Sequence, residues 1–310
     1  MLYKERMLDA LLFSVSYSGS WGQETLALEQ FVDRAAELGF EGVMLGGKRP
    51  HLSVLDWGPA QRARLRERIE ARGLKRVAVA AYNNFTADLE HAEVVQREFQ
   101  IHYVTALAGM ARDLGGDLVR VFTGYENPAA EYGRQWKLVV ETLRECARRA
   151  AQYGVIIGVQ NHHDLGAAWQ SQYDLIGEVG EANCKAVFDA WAPALHGADL
   201  GEAARRMAPI MVQTIVANYQ LRPRFRYDAA IVNYVEQKPA LSAVPVDEGF
   251  IDYAAFLQAL YAGGFRGNVV YEMCSPLRDG GDGPTLDRYA RRFVEFLKEQ
   301  QRRLAGSDAI

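Results

Sequence analysis

One local pattern recurs along this chain and limits its fold more than any total does. A helical stretch ends in glycine or small residues, and a short apolar, β-rich run follows at once. Examples are "DRAAELGFEGVMLG", "EARGLKRVAVAAY", "ARDLGGDLVRVFTG", "ARRAAQYGVIIGVQ" and "QALYAGGFRGNVVYE". Glycine adopts the left-handed conformation that closes a helix at no steric cost. The runs that follow lack polar alternation, as strands do when both faces are covered. Eight strands are predicted near 11–17, 42–47, 76–82, 118–123, 155–160, 185–189, 211–217 and 268–272. Helices are predicted near 25–38, 59–72, 92–114, 134–153, 171–180, 200–208, 252–263 and 284–304. Eight βα alternations over 310 residues predict a single (β/α)8 TIM barrel covering 1–310. The rival, an open doubly wound sheet, would show a glycine-rich dinucleotide turn after an early strand. No GxGxxG occurs.

One segment breaks the rhythm. Residues 219–250, "YQLRPRFRYDAAIVNYVEQKPALSAVPVDEGF", hold three of the ten prolines and several aromatics. They predict a long loop after strand 7, of the kind that serves as a lid, a binding loop or an interface in a homo- or hetero-oligomer.

Composition removes several function classes. Apolar residues are 49% and charged residues 24%, and 35 basic against 39 acidic residues leave a net charge of −4. That balance gives no field for nucleic acid or for an acidic membrane. The basic run "QRARLRERIEARGLKR" carries glutamates at helical spacing and reads as the solvated face of a helix. The three cysteines, Cys146, Cys184 and Cys274, are far apart and form no CxxC, which speaks against a disulfide framework or a thiolate zinc site. The N-terminal "MLYKERMLDALLFSV" is too short to span a membrane and is broken by Asp9. The expectation is a soluble, cytoplasmic protein.

In a barrel the chemistry lies at the C-terminal ends of the strands. Those ends read "GGKRPH", "AYNNFT", "RVFTGYE", "VQNHHD", "VFDAW", "VQTIVANY" and "VVYEMCSPLR". Side chains alternate along a strand, so Gln160 and His162 share a face, and Asp189, Gln213 and Glu272 can point into the same mouth. Two carboxylates and two amide carbonyls form a hard-cation donor set, suited to Mn²⁺ or Mg²⁺ before Zn²⁺ or Co²⁺. The bland alternative is four buried, hydrogen-bonded polar residues.

On "VQNHHD", "VFDAWAPALHG", "EGFIDY" and "VVYEMCSPLR" the chain resembles the xylose isomerase-like TIM barrels, the sugar phosphate isomerase/epimerase group. The resemblance implies divalent-metal ligands at the ends of strands 5 to 8, here Gln160, Asp189, Gln213 and Glu272. Gln160 stands where a glutamate is usual and Gln213 where a histidine is usual. It also implies isomerisation or epimerisation of a sugar through an enediolate held on the metal. A glutamine cannot take a proton at neutral pH, so the base is expected at His162 or Glu272, with His163 on the opposite face in a structural role. His51, Tyr82, Asn161 and Arg222 are expected to contact substrate, and Lys48, Arg49, Asn83, Arg224 and Trp191 are weaker candidates. Arg120, a charge inside an apolar strand, needs a partner. Two alternatives stay open. One is a lyase that expels the leaving group of an oxidised (3-keto) glycoside, such as a C-glycoside. The other is a non-catalytic sugar-binding barrel, or one subunit of a hetero-oligomer.

Other motifs carry nothing. "GVMLGGKR" matches GxxxxGK, but Arg49 stands where a phosphate loop needs Ser or Thr. GxSxG and HExxH are absent, and six histidines are too few for a multi-zinc endonuclease site.

Overall fold

In the computed structural model, which describes residues 8–90 and 93–307, eight parallel strands close into a barrel. They are β1 (Asp9–Phe13), β2 (Gly42–Gly46), β3 (Arg76–Ala80), β4 (Leu118–Val121), β5 (Ile156–Gln160), β6 (Cys184–Asp189), β7 (Met211–Val216) and β10 (Asn268–Tyr271). Closure is made by β10 beside β1, with Asp9 opposite Asn268 and Leu12 opposite Tyr271. Helices α1 (Leu28–Glu37), α2 (Pro59–Ala71), α3 (Gln96–Asp113), α4 (Tyr132–Ala151), α5 (Trp169–Val179), α7 (Leu200–Met207), α8 (Tyr253–Ala262) and α9 (Gly283–Ser307) ring it. A short helix, α6 (Trp191–Leu195), follows β6 directly. The expected start of the third helix at residue 92, and the terminal residues 1–7 and 308–310, lie outside the described residues. Among the described residues no helix is long and apolar enough to cross a membrane.

The two apolar layers follow from strand parity. Leu11, Phe13, Met44, Ala78, Leu118, Val187, Ile215 and Val270 point inward and fill the barrel. Their strand neighbours point outward and pack under the helices in the larger cluster. Both strand faces are therefore apolar, which is why the runs show no alternation.

Two elements differ from expectation. The first strand stops at Phe13, and residues 14–17 form a 3₁₀ turn, in which the buried Ser14 hydroxyl accepts from Gly46 N at 2.9 Å. The segment read as a loop is an antiparallel hairpin, β8 (Asn218–Asp228) and β9 (Asn233–Val244). Its prolines pointed away from a strand, because proline cannot donate to a ladder. Pro223 and Pro239 both fall in the irregularity between the Arg222–Ala240 and Arg224–Gln237 pairs, where no ladder bond is lost. The hairpin is rooted by Asn218, which donates to Val246 O at 2.6 Å and Ile251 O at 2.9 Å. Beyond Leu221 it is largely exposed.

The helical ring carries one well-formed charge cluster. Asp33 on α1 accepts from Arg68 Nε on α2 at 2.9 Å and from Arg72 Nε at 2.8 Å. These donors hold its carboxyl down at about 2, against an ordinary 3.8. A depressed carboxylate stabilises the fold above the unfolded value and stops doing so as pH falls through the folded one. The full shift would correspond to about 2.5 kcal/mol, and solvent screening reduces that to about 1 kcal/mol. Asp33→Asn should cost about that at pH 7 and only a small fraction of it near pH 2, by urea melts at both pH values.

Candidate active site

The mouth is built on the ends of β3 to β6 and β10. Gln160 ends β5, Asp189 ends β6, and Glu272 follows Tyr271 at the end of β10. Gln160 and Asp189 are joined, Nε2 donating to Asp189 Oδ2 at 3.1 Å. The other carboxylate oxygen of Asp189 accepts from Trp191 N at 2.8 Å, the first amide of α6. Glu272 Oε1 accepts from Cys274 Sγ at 2.9 Å, and that sulfur lies 3.2 Å from the Tyr219 hydroxyl. Oε2 of Glu272 has no protein donor among the described residues. Burial, and then the charge of Glu272, push the Asp189 carboxyl up to about 7. Burial also raises Glu272, against the pull of Cys274 and Arg120.

Arg120 on β4 points inward and is 2% exposed. Its Nη1 donates to Ala81 O at 2.8 Å, and its guanidinium lies 4.0 Å from the Phe122 ring and 5.5 Å from the Tyr82 ring. Its Nε is buried with no partner. Tyr82 is half-buried at the mouth, with Lys48 Nζ 3.9 Å from its ring.

Several expected residues are placed otherwise. Gln213 is fully buried below the mouth, in register with Asn268, four residues before Glu272. At the usual strand rise that is about 13 Å down the strand. Its amide accepts from Asn268 Nδ2 at 3.4 Å and donates to Met44 Sδ at 3.3 Å. The β7 residue in register with Asp189 is Ile215, an alkyl side chain. Asn161 is 1% exposed and turns both amide atoms to the backbone of Asp189, Oδ1 accepting from N at 2.6 Å and Nδ2 donating to O at 2.8 Å. These contacts position Asp189. His51 is 3% exposed, bonds Leu26 O at 3.2 Å and packs on Phe31 of α1, outside the mouth. Arg222 is exposed on the hairpin arm beyond Tyr219.

His162 stays at the mouth, 4.6 Å from the Phe122 ring and 6.2 Å from the Trp191 ring. Burial, His163 and Arg120 together push its imidazole down to about 3, so it is neutral near pH 7. Its Nδ1 accepts from His163 N at 2.9 Å. In a neutral ring an accepting Nδ1 leaves the proton on Nε2. The ring therefore offers a hydrogen-bond donor in place of the expected base. His163 pays for this contact with a φ of +64°, uncommon for a residue with a side chain.

Residues 32–300 match the family described as the xylose isomerase-like TIM barrel. The chain belongs to that family. Solved structures of the same fold include one of L-ribulose 3-epimerase, 20% identical, with TM-score 0.73 over 98% of this chain and 99% of that one. A D-psicose 3-epimerase with D-tagatose from Clostridium cellulolyticum H10 is 16% identical, with TM-score 0.72 over 95% and 99%. A D-tagatose 3-epimerase-like protein is 18% identical, with TM-score 0.71 over 97% and 99%. At these identities the likeness is one of fold. No curated protein sequence matches the chain.

As a xylose isomerase-like barrel the chain would hold a divalent cation between strands 5 and 8 in the arrangement its sequence suggested. The donor set does not fit one. Gln213 lies too deep, and the β7 residue in register with Asp189 is Ile215, whose alkyl side chain offers no donor atom. Both Asp189 oxygens already accept N–H groups. Among the described residues, no three His, Cys, Asp or Glu side chains converge on a common point. What remains is the Glu272 carboxylate at β10, the Arg120 guanidinium at β4 across the barrel from it, and the Asp189 carboxylate at β6 between them.

Sequence reasoning missed Cys274 and Tyr219 as partners of Glu272. A signal was present for Cys274: it stands only two residues after Glu272 in the segment that leaves β10.

Proposed function

We propose that this barrel moves a proton at the carbon beside the carbonyl of a sugar or sugar-derived hydroxy-carbonyl compound, giving isomerisation or epimerisation. The observation that carries this reading is Glu272. It is half-buried at the mouth, one oxygen is held by Cys274, and the other has no donor among the described residues. Such a carboxylate is oriented yet keeps a lone pair for a substrate proton. Asp189, held up to about 7, keeps a proton close to neutral pH and can return it. His162, with its proton on Nε2, can donate to the charge that gathers on the carbonyl oxygen during transfer. Relatives in fold that carry the name of 3-epimerases support the substrate class.

The test is solvent exchange. Keto-sugars and sugar acids are incubated with the protein in D₂O and chelator, and loss of the C–H signal beside the carbonyl is followed by proton NMR. Exchange of at least one such proton is expected. Absence of exchange on every substrate, with or without added Mn²⁺, would overturn the reading. Gln160, an amide where a second base is usual, favours one other reading, sugar binding without turnover. That reading predicts a ligand-induced rise in melting temperature with no exchange.

A further inference from the structure

The mouth is electrically divided. Arg120 projects from β4, and Lys48 follows β2 with its ammonium on the Tyr82 ring. Neither makes an ion pair among the described residues. Glu272 follows β10, which lies directly across the closed barrel from β4, and Asp189 ends β6 between them. An unpaired guanidinium at 2% exposure is costly to keep. Most of its hydrogen-bonding capacity is idle. Nη1 is spent on Ala81 O, Nε is buried without a partner, and Nη2 has no acceptor among the described residues. The idle Nε–Nη2 edge is the fork that takes a planar carboxylate in two parallel bonds. A cleft of about 510 Å³ with Lys48, Tyr82 and Tyr103 in its wall and no acidic residue lining it opens on Tyr82, whose ring lies 5.5 Å from the guanidinium.

We propose that the ligand of this barrel is a sugar acid whose carboxylate docks on the Nε–Nη2 edge of Arg120, with Lys48 beside it, so that the guanidinium supplies the fixed positive charge that the metal donor set does not. This rests on the reading of the mouth as a carbohydrate site. The carboxylate anchors at the β2–β4 wall, and the carbon to be deprotonated is turned toward Glu272.

Binding of D-glucuronate, D-glucose 6-phosphate and D-glucose to the full chain is measured by calorimetry in the presence of chelator, at low and high salt. D-glucuronate should bind at least about tenfold tighter than D-glucose, the equivalent of one charge-assisted contact, and the preference should shrink at high salt. Arg120→Met should erase the preference without lowering the melting temperature, because it removes a buried charge that lacks an ion partner. Lys48→Met should reduce the preference less. Equal binding of D-glucuronate and D-glucose by the wild type would overturn the proposal, even if the Arg120 variant fails to fold. So would a preference that survives Arg120→Met, one that needs Mn²⁺, or one for the phosphate over the carboxylate. Deuterium exchange on a neutral ketose that is indifferent to Arg120→Met would sink this inference and leave the proton-transfer reading standing. D-glucuronate selectivity without exchange on any substrate would do the reverse.

Discussion

Replacing Glu272 by glutamine should lower the rate of C–H exchange by about 10³, the usual worth of a positioned general base. The substitution keeps the shape of the side chain and an oxygen for Cys274 Sγ to donate to, so the Tyr219–Cys274–residue 272 chain survives. It removes the carboxylate lone pair at the mouth that is oriented by Cys274 and not already occupied by a donor among the described residues. His162 cannot replace it, since its accepting Nδ1 is taken by His163 N. The melting temperature should hold or rise, because a buried charge has been deleted. The pH profile supplies the sign. Burial raises Glu272, and a base must be deprotonated to act. The wild-type rate is therefore full above that raised value and falls as pH drops through it, while the residual rate of the variant lacks that limb. Proton NMR in D₂O across pH, beside thermal melts, checks both. A variant that keeps more than about a tenth of the rate would move the base to Asp189.

The sequence made the barrel legible because the helix-ending glycines and the doubly buried strands are local signals that repeat. Gly39, Gly115 and Gly154 take the positive φ that the pattern required. Asp189 and Glu272 were legible as well, since they end their strands and the mouth lies there. Gln213 shows where parity stops helping. It points inward as expected, but parity gives the face of a strand and says nothing of height. Three more β7 residues follow Gln213, and the register places it beside Asn268 at the floor. His51 was illegible for a different reason. It lies in a turn with no period, and its direction is fixed by tertiary contacts, the bond to Leu26 O and the Phe31 ring. The hairpin was hidden by its prolines, which are harmless where the ladder is already irregular. Arg120 was recognised as a charge in need of a partner. The barrel gives it aromatic rings and one carbonyl, and no ion pair among the described residues.

Asn161 provides the sharpest separation between what its position suggested and what its contacts do. A substrate contact, lost in Asn161→Ala, would raise KM and leave stability alone. The contacts predict the opposite emphasis. Asn161 is 1% exposed, and its amide satisfies both the N–H and the C=O of Asp189. Those two backbone groups lie at the end of β6, where the ladder with β5 has stopped at the Gln160–Val187 pair and Asn161 takes the place of a further strand partner. Alanine leaves one donor and one acceptor buried together. Each costs about 1–3 kcal/mol, so the chain should lose about 3 kcal/mol of stability in urea, with an unchanged m-value. Asn161→Asp keeps the acceptor for Asp189 N and loses the donor for Asp189 O, so it should destabilise as well, and more above pH 7, where its carboxylate stands against Asp189. The same loss of support should loosen Asp189 itself, whose two oxygens depend on Trp191 N and Gln160 for orientation. Turnover should then fall through kcat before KM changes. A stable Asn161→Ala variant with raised KM would return this residue to the substrate and show that another group holds the end of β6.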